Sequence, residues 1–117
     1  MLTPIQDENE FRQVLQESAE RPVFVFKHST RCPISAAARE QFERFTEAMP
    51  EVACRLVLVV EQRPLSLEIA RETGVVHASP QALLLVQGKV VWHASHYQIT
   101  AHALHEAYTA NSSPVNR

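Results

Sequence analysis

Apolar residues recur at helical intervals from the start of the chain: Phe11, Val14, Leu15 and Ala19 follow Asp7 and Glu10, which have the spacing of a capping box. This predicts an amphipathic helix, ended by Arg21-Pro22. Val23-Phe24-Val25-Phe26 is apolar on both faces, the pattern of a strand covered on both sides. Lys27 to Arg31 is polar and reads as a loop. From Pro33, a residue suited to a first helical position, Ile34, Ala38, Phe42, Phe45 and Met49 form one stripe. Arg39, Glu40, Glu43, Arg44 and Glu47 face away from it, and Pro50 stops the helix. The segment Val52 to Val60 contains a second two-sided apolar run and predicts a central strand. Arg63-Pro64 opens a short helix, Leu65 to Glu72, which Gly74 can end with a positive φ. Two strands, Gln81–Val86 and Val90–Ala94, flank a turn at Gln87-Gly88-Lys89 and predict a hairpin. Thr100 can cap a last helix bearing Leu104, Ala107 and Tyr108 on one face.

This order, αβαβα followed by a hairpin and a closing helix, predicts an α/β domain. Its parallel strands need crossover helices, and the hairpin supplies an antiparallel edge. The predicted architecture is a thioredoxin-like fold, a central mixed four-stranded sheet flanked by helices. Residues 1–110 form the domain, and 111–117, polar and containing Ser, Pro and Asn, are expected to be a flexible tail.

At 117 residues and 45% hydrophobic content, the chain has room for one core and not two. With 11 basic and 13 acidic residues the net charge is -2, which gives no field steering it to nucleic acid or anionic membrane. The amino terminus lacks a basic, then apolar, leader, and no run approaches the ~18 apolar residues of a membrane span. Cytoplasmic residence is the expectation. Two cysteines, Cys32 and Cys54, are too few for a disulfide scaffold. With scattered histidines they show no zinc-ligand spacing, so no metal and no tightly bound cofactor is expected.

Cys32 falls where the first strand has ended and the second helix begins. There its sulfur lies near unpaired N–H groups and the positive end of the helix dipole, which favours the nucleophilic thiolate. The neighbours Lys27, His28 and Arg31 could add to that stabilisation according to which way they point, the helix terminus being the larger effect. The polar surroundings His28-Ser29-Thr30-Arg31 argue against burial. Cys54 leads an apolar run and is expected to be inert. Position 35 decides the mechanism: a dithiol oxidoreductase carries a second cysteine there, whereas Ser35 cannot attack a mixed disulfide. Resolution must come from an external thiol. Ser35 is either a hydrogen-bond partner of the Cys32 sulfur or an ordinary polar residue. Ser79-Pro80 lies just before the hairpin, where thioredoxin-like proteins place a cis proline facing the active cysteine. A cis bond would free the Ser79 backbone to pair with an extended substrate, and the alternative is a trans proline starting an edge strand. His77 and His96 are expected in hydrogen-bonded structural roles, although His77 is placed to approach Cys32. His102 and His105 read as solvated.

The segment Phe26-Lys27-His28-Ser29-Thr30-Arg31-Cys32-Pro33-Ile34-Ser35 resembles the monothiol bacilliredoxin family. The likeness continues through Arg63-Pro64-Leu65-Ser66, Gly74-Val75, His77-Ala78-Ser79-Pro80-Gln81 and Ser95-His96-Tyr97-Gln98-Ile99-Thr100. Arg31 departs from the small or hydroxyl residue more usual there. The resemblance implies that Cys32 accepts bacillithiol from S-thiolated proteins. The supporting residues are His28, Thr30, Arg31, Pro33 and Ser35, with Ser79 and Pro80 on the substrate. The implied cosubstrate is a low-molecular-weight thiol, bacillithiol or alternatively glutathione. Two other readings stand beside it: a binding module in which Cys32 is a thiol-redox sensor, and a glutaredoxin-like carrier of iron–sulfur clusters.

Overall fold

A computed structural model describes residues 1–112. The elements are β1 (Leu2–Pro4), α1 (Glu8–Glu17), β2 (Val23–His28), α2 (Pro33–Ala48), β3 (Ala53–Leu58), α3 (Arg63–Thr73), β4 (Gln81–Val86), β5 (Lys89–Ser95), a 3-10 turn (His96–Gln98) and α4 (Ala101–Ser112). They build one five-stranded sheet in the order β1-β3-β2-β4-β5. β1 and β2 run parallel to β3, while β4 is antiparallel to β2 and to β5.

The sheet has five strands where four were predicted. β1 has only three residues, one of them Pro4, and its burial is slight until Ile5, so no periodic pattern announces it. An edge strand tolerates the proline, which has no N–H to give the ladder. Ile5 N–H donates to Leu56 O at 2.9 Å, and the Gln62 amide donates to the carbonyls of Ile5 and Gln6.

β2 also extends further than predicted. Lys27 and His28, read as loop, are buried strand residues paired with Val57 and Leu58 of β3. Polarity misleads here because the strand is covered on both sides and its last two side chains find polar partners within the fold. At the C-terminal end, Asn111 and Ser112, assigned to a tail, continue α4. The rest of that expected tail, 113–117, lies outside the described residues.

Alternation along the central strands sorts the core into two layers. Phe24, Phe26, Cys54, Leu56, Ala82 and Leu84 face α2 and α4, meeting Phe42, Phe45 and Leu104. Val23, Val25, Val57, Leu83 and Leu85 face α1 and α3, meeting Phe11, Val14, Leu65 and Ile69. Phe24 is contacted edge-on by Phe42, Phe45 and Trp92, the arrangement that aligns a positive ring edge with a negative face.

Local signals set the element ends. Asp7 caps α1 by accepting the Glu10 N–H at 2.8 Å, while Glu10 reaches back to the Gln6 N–H at 2.7 Å. Gly74 ends α3 with φ +73, as a left-handed cap requires. α1 stops at Glu17, short of the predicted Arg21. The turn residue Ser18 is buried and accepts the Gly88 N–H at 2.8 Å, fastening the β4–β5 turn.

Candidate functional site

Parallel β2 and β3 end at the same side of the sheet, and antiparallel β4 begins there. The register that pairs Lys27 with Gln81 therefore brings the Ser79-Pro80 segment to the end where β2 gives way to Cys32. Ser79-Pro80 is cis, as predicted.

Cys32 is the N-cap of α2, with extended backbone (φ -117, ψ 122) and Pro33 following at the first helical position. Its carbonyl accepts the Ala36 N–H at 3.0 Å, opening the helix, and its thiol is half-buried. The N–H groups of Ile34 and Ser35 lie in the first turn, where the helix offers no carbonyl partner, so the local dipole favours an anion at the cap. Thr30 and Arg31 are exposed in the preceding turn. Ser29 closes that turn: its carbonyl lies 3.4 Å from the Cys32 nitrogen, and its hydroxyl accepts the Arg31 N–H at 3.3 Å.

Ser35 does not serve the Cys32 sulfur. It is fully buried, its Oγ lies 2.7 Å from His28 Nδ1, and it accepts the Ser29 N–H at 2.9 Å. It therefore stitches the first turn of α2 to the end of β2 across the loop that carries Cys32. Burial, then the nearby Arg39 guanidinium, lowers the His28 pKa, so the ring is neutral. The imidazole stacks on Phe26, ring centroids 5.4 Å apart. Ser35→Ala would leave the Ser29 N–H and His28 Nδ1 without their shared partner in a buried site, at a cost of about 2 kcal/mol. Urea unfolding of the variant measures it, and an unchanged midpoint would show the stitch to be dispensable.

On the opposite face of the sheet Lys27 is fully buried. Its ammonium donates to the Ser66 carbonyl at 3.0 Å and to His77 Nδ1 at 3.2 Å. Burial lowers the lysine pKa to about 8. His77 is also lowered, by burial, then by the charges of Lys27 and Arg63, so it is neutral and accepts at Nδ1. His77 therefore faces Lys27 across the loop before Pro80, the hydrogen-bonded role expected of it. Sequence reasoning missed Lys27 as a buried group because a lysine at a strand end reads as solvated. His96 opens the 3-10 turn with φ +55, and its N–H donates to Pro80 O at 3.1 Å. His102 lies 3.3 Å from Glu106 on the exposed face of α4.

The second thiol is inert. Cys54 is wholly buried in β3, and burial pushes its pKa up to about 12. A native-state thiol titration should therefore count one reactive cysteine and an unfolded-state titration two, while Cys54→Ala should cost about 1–2 kcal/mol through the void it leaves. Rapid labelling of Cys54 in the folded protein would contradict this assignment.

Among the described residues no three His, Cys, Asp or Glu side chains converge as a metal site, and no helix is long and apolar enough to cross a membrane. A mixed sheet with helices on both faces, a helix N-cap cysteine and a serine three residues on together define a thioredoxin-fold thiol redox protein with one accessible thiol. Residues 3–104 match the family model described as Monothiol bacilliredoxin BrxC, and the chain belongs to that family. A solved structure described as an oxidoreductase with a thioredoxin fold is 38% identical, with TM-score 0.83 over 91% of this chain and 92% of that one. Thioredoxin from Fasciola hepatica is similar at TM-score 0.78 and 18% identity, covering 95% of this chain and all of that one. Malassezia sympodialis thioredoxin gives 0.76 and 20%, covering 97% and 92%. The last two share the fold.

Proposed function

We propose that this protein removes low-molecular-weight thiols, bacillithiol in the first instance, from S-thiolated proteins. The Cys32 thiolate attacks the small thiol's sulfur in the mixed disulfide. A new disulfide forms between Cys32 and the small thiol, the old one breaks, and the protein cysteine leaves as thiolate and takes a proton. A second small-thiol molecule then attacks the adduct on Cys32, yielding the small-thiol disulfide and free Cys32. Electrons balance, since one disulfide is consumed and one formed in each step.

The observation that carries this reading is the pairing of an accessible Cys32 with a buried, fully engaged Ser35. The adduct has no internal thiol to resolve it, because the other cysteine of the chain, Cys54, is sealed in the core. Membership of the monothiol bacilliredoxin family supports bacillithiol as the adduct. His28, Thr30, Arg31, Pro33 and Ser35 shape the cysteine loop, Arg31 contributing an exposed positive charge beside it. Ser79 and Pro80 hold the substrate segment. An open depression of about 200 Å³ between Ile34, Ala37, His96 and Tyr97 borders the same loop and offers apolar contact to residues flanking the modified cysteine.

Mass spectrometry after mixing with a bacillithiolated model protein, and in parallel a glutathionylated one, tests the reading. Adduct on wild-type Cys32 but not on Cys32→Ala, with bacillithiol preferred, is the expected result. Preference for glutathione would reassign the cosubstrate. Transfer from neither donor would overturn the exchange reading in favour of a binding module.

A further inference from the structure

Consecutive residues of a strand point to opposite faces, and the last two of β2 use this to reach both halves of the site. His28 is tied through Ser35 to the helix that presents Cys32. Lys27 is tied through His77 to the segment that leads into Ser79-Pro80. We infer that Lys27, acting through His77, is a positioning residue that sets the Ser79-Pro80 segment for docking of the thiolated protein substrate, without acting on the reactivity of Cys32. This inference rests on the dethiolation reading for its substrate but not for its geometry.

The 74–80 segment is secured from beneath at two neighbouring points. Lys27 and Gln81 are cross-strand partners, so their side chains share the α3 face. The Gln81 amide donates to Val76 O at 2.9 Å, and the Lys27 ammonium donates to His77. The same ammonium donates to the Ser66 carbonyl in the first turn of α3, so one buried group joins β2, α3 and the loop. Above this anchor the loop is open, with Val76 85% exposed. Val75 packs against the core below, and between it and buried Pro80 the half-exposed residues 77–79 take their position from such anchors.

Lys27 is also an expensive way to fill this site. Its partners are a carbonyl and a neutral imidazole, and burial alone dominates its perturbation, with no carboxylate offsetting the charge. An apolar side chain of similar length would avoid the desolvation. A buried charge kept against stability fits a constraint set by function.

Four full-length proteins decide the matter: wild type, Lys27→Met, His77→Leu and His77→Gln. Glutamine keeps an acceptor for the ammonium and leucine removes it. His77 sits in a half-exposed loop, so its variants test the contact independently of the change in stability that Lys27→Met brings. For transfer from a bacillithiolated model protein, His77→Leu and Lys27→Met should raise KM about tenfold, the factor appropriate to a charge-assisted hydrogen bond. Both should leave kcat and the rate of Cys32 alkylation by iodoacetamide within about twofold, and His77→Gln should retain the wild-type KM. An unchanged KM in His77→Leu, a defect in His77→Gln equal to that in His77→Leu, or alkylation slowed in step with KM would overturn the inference.

Hydrogen exchange separates this from the proposed function. The amides of residues 75–79 should exchange about tenfold faster in His77→Leu and Lys27→Met than in wild type and His77→Gln, whether or not any adduct is transferred. Equal exchange in all four proteins would overturn the inference even if transfer works. Loss of transfer in wild type with the exchange difference intact would overturn only the dethiolation reading.

Discussion

Cys32→Ser is expected to reduce adduct transfer by about 1,000-fold or more while leaving the fold and its thermal unfolding essentially as they are. The hydroxyl replaces the sulfur at the cap of α2 and makes no disulfide, and no other group can take over. Cys54 is buried with its pKa pushed up to about 12, so it supplies neither thiolate nor access. A serine is moreover a favourable N-cap residue, so the substitution does not disturb the helix start. Adduct-transfer kinetics measured with circular dichroism on the same sample check this. An active Cys32→Ser protein would show that the chemistry resides elsewhere. A variant that is inactive because it is unfolded would appear in the circular dichroism.

The second large effect is on stability, through Lys27. Its folded pKa of about 8 lies below the ordinary 10.5. Between those values the unfolded chain binds more protons than the folded one, so stability rises with pH across the window. The full difference corresponds to about 3 kcal/mol, an upper figure for this single group. Cys54 acts in the opposite sense. Its thiol, raised from 9.0 to about 12, holds its proton in the folded state after the unfolded chain has lost it, so it removes stability as pH climbs above 9.

The two therefore offset each other above pH 9, and the Lys27 contribution is isolated by comparing wild type with Lys27→Met. At pH 7 the ammonium is charged and buried beside neutral His77, with Arg63 near that imidazole, so Lys27→Met should raise the urea midpoint. That advantage should shrink by pH 10. Parallel midpoint-versus-pH curves for the two proteins would refute the buried-charge account. On the acid side His28 and His77 are both lowered by burial, so the unfolded chain takes up protons first as pH falls below 6.5 and stability is lost there.

Much of the fold was legible in the residues because the physics that formed it is local. The α2 stripe Ile34-Ala38-Phe42-Phe45, the Asp7 cap, the Gly74 stop and the two-sided apolar runs of β2 and β3 all act within a few residues of one another. Their order restricted the topology to crossover-linked parallel strands and an antiparallel hairpin. Cys32 at a strand-to-helix junction, with serine in place of a resolving thiol at position 35, likewise needed only the sequence. β1 was not legible. Three edge residues carry no period, and their pairing with β3 spans some fifty residues of chain.

The sequence by itself determined the fold class, the candidate thiol and the lack of a resolving cysteine at position 35, because helix periodicity, strand alternation and residue identity at position 35 are properties of short stretches, whereas the burial that removes Cys54 as a partner is tertiary. Tertiary structure alone decided what the polar residues around that thiol do. Ser35 could have faced the sulfur, yet it bonds His28 and Ser29, because the end of β2 lies over the first turn of α2. Lys27 could have been a solvated loop residue. Strand alternation turned it into the α3 face, where residues 39 and 50 positions away supply its hydrogen bonds. Burial, and with it the charge state of Lys27, His28 and His77, depends on which distant elements close over a side chain, and no local pattern in the chain records that.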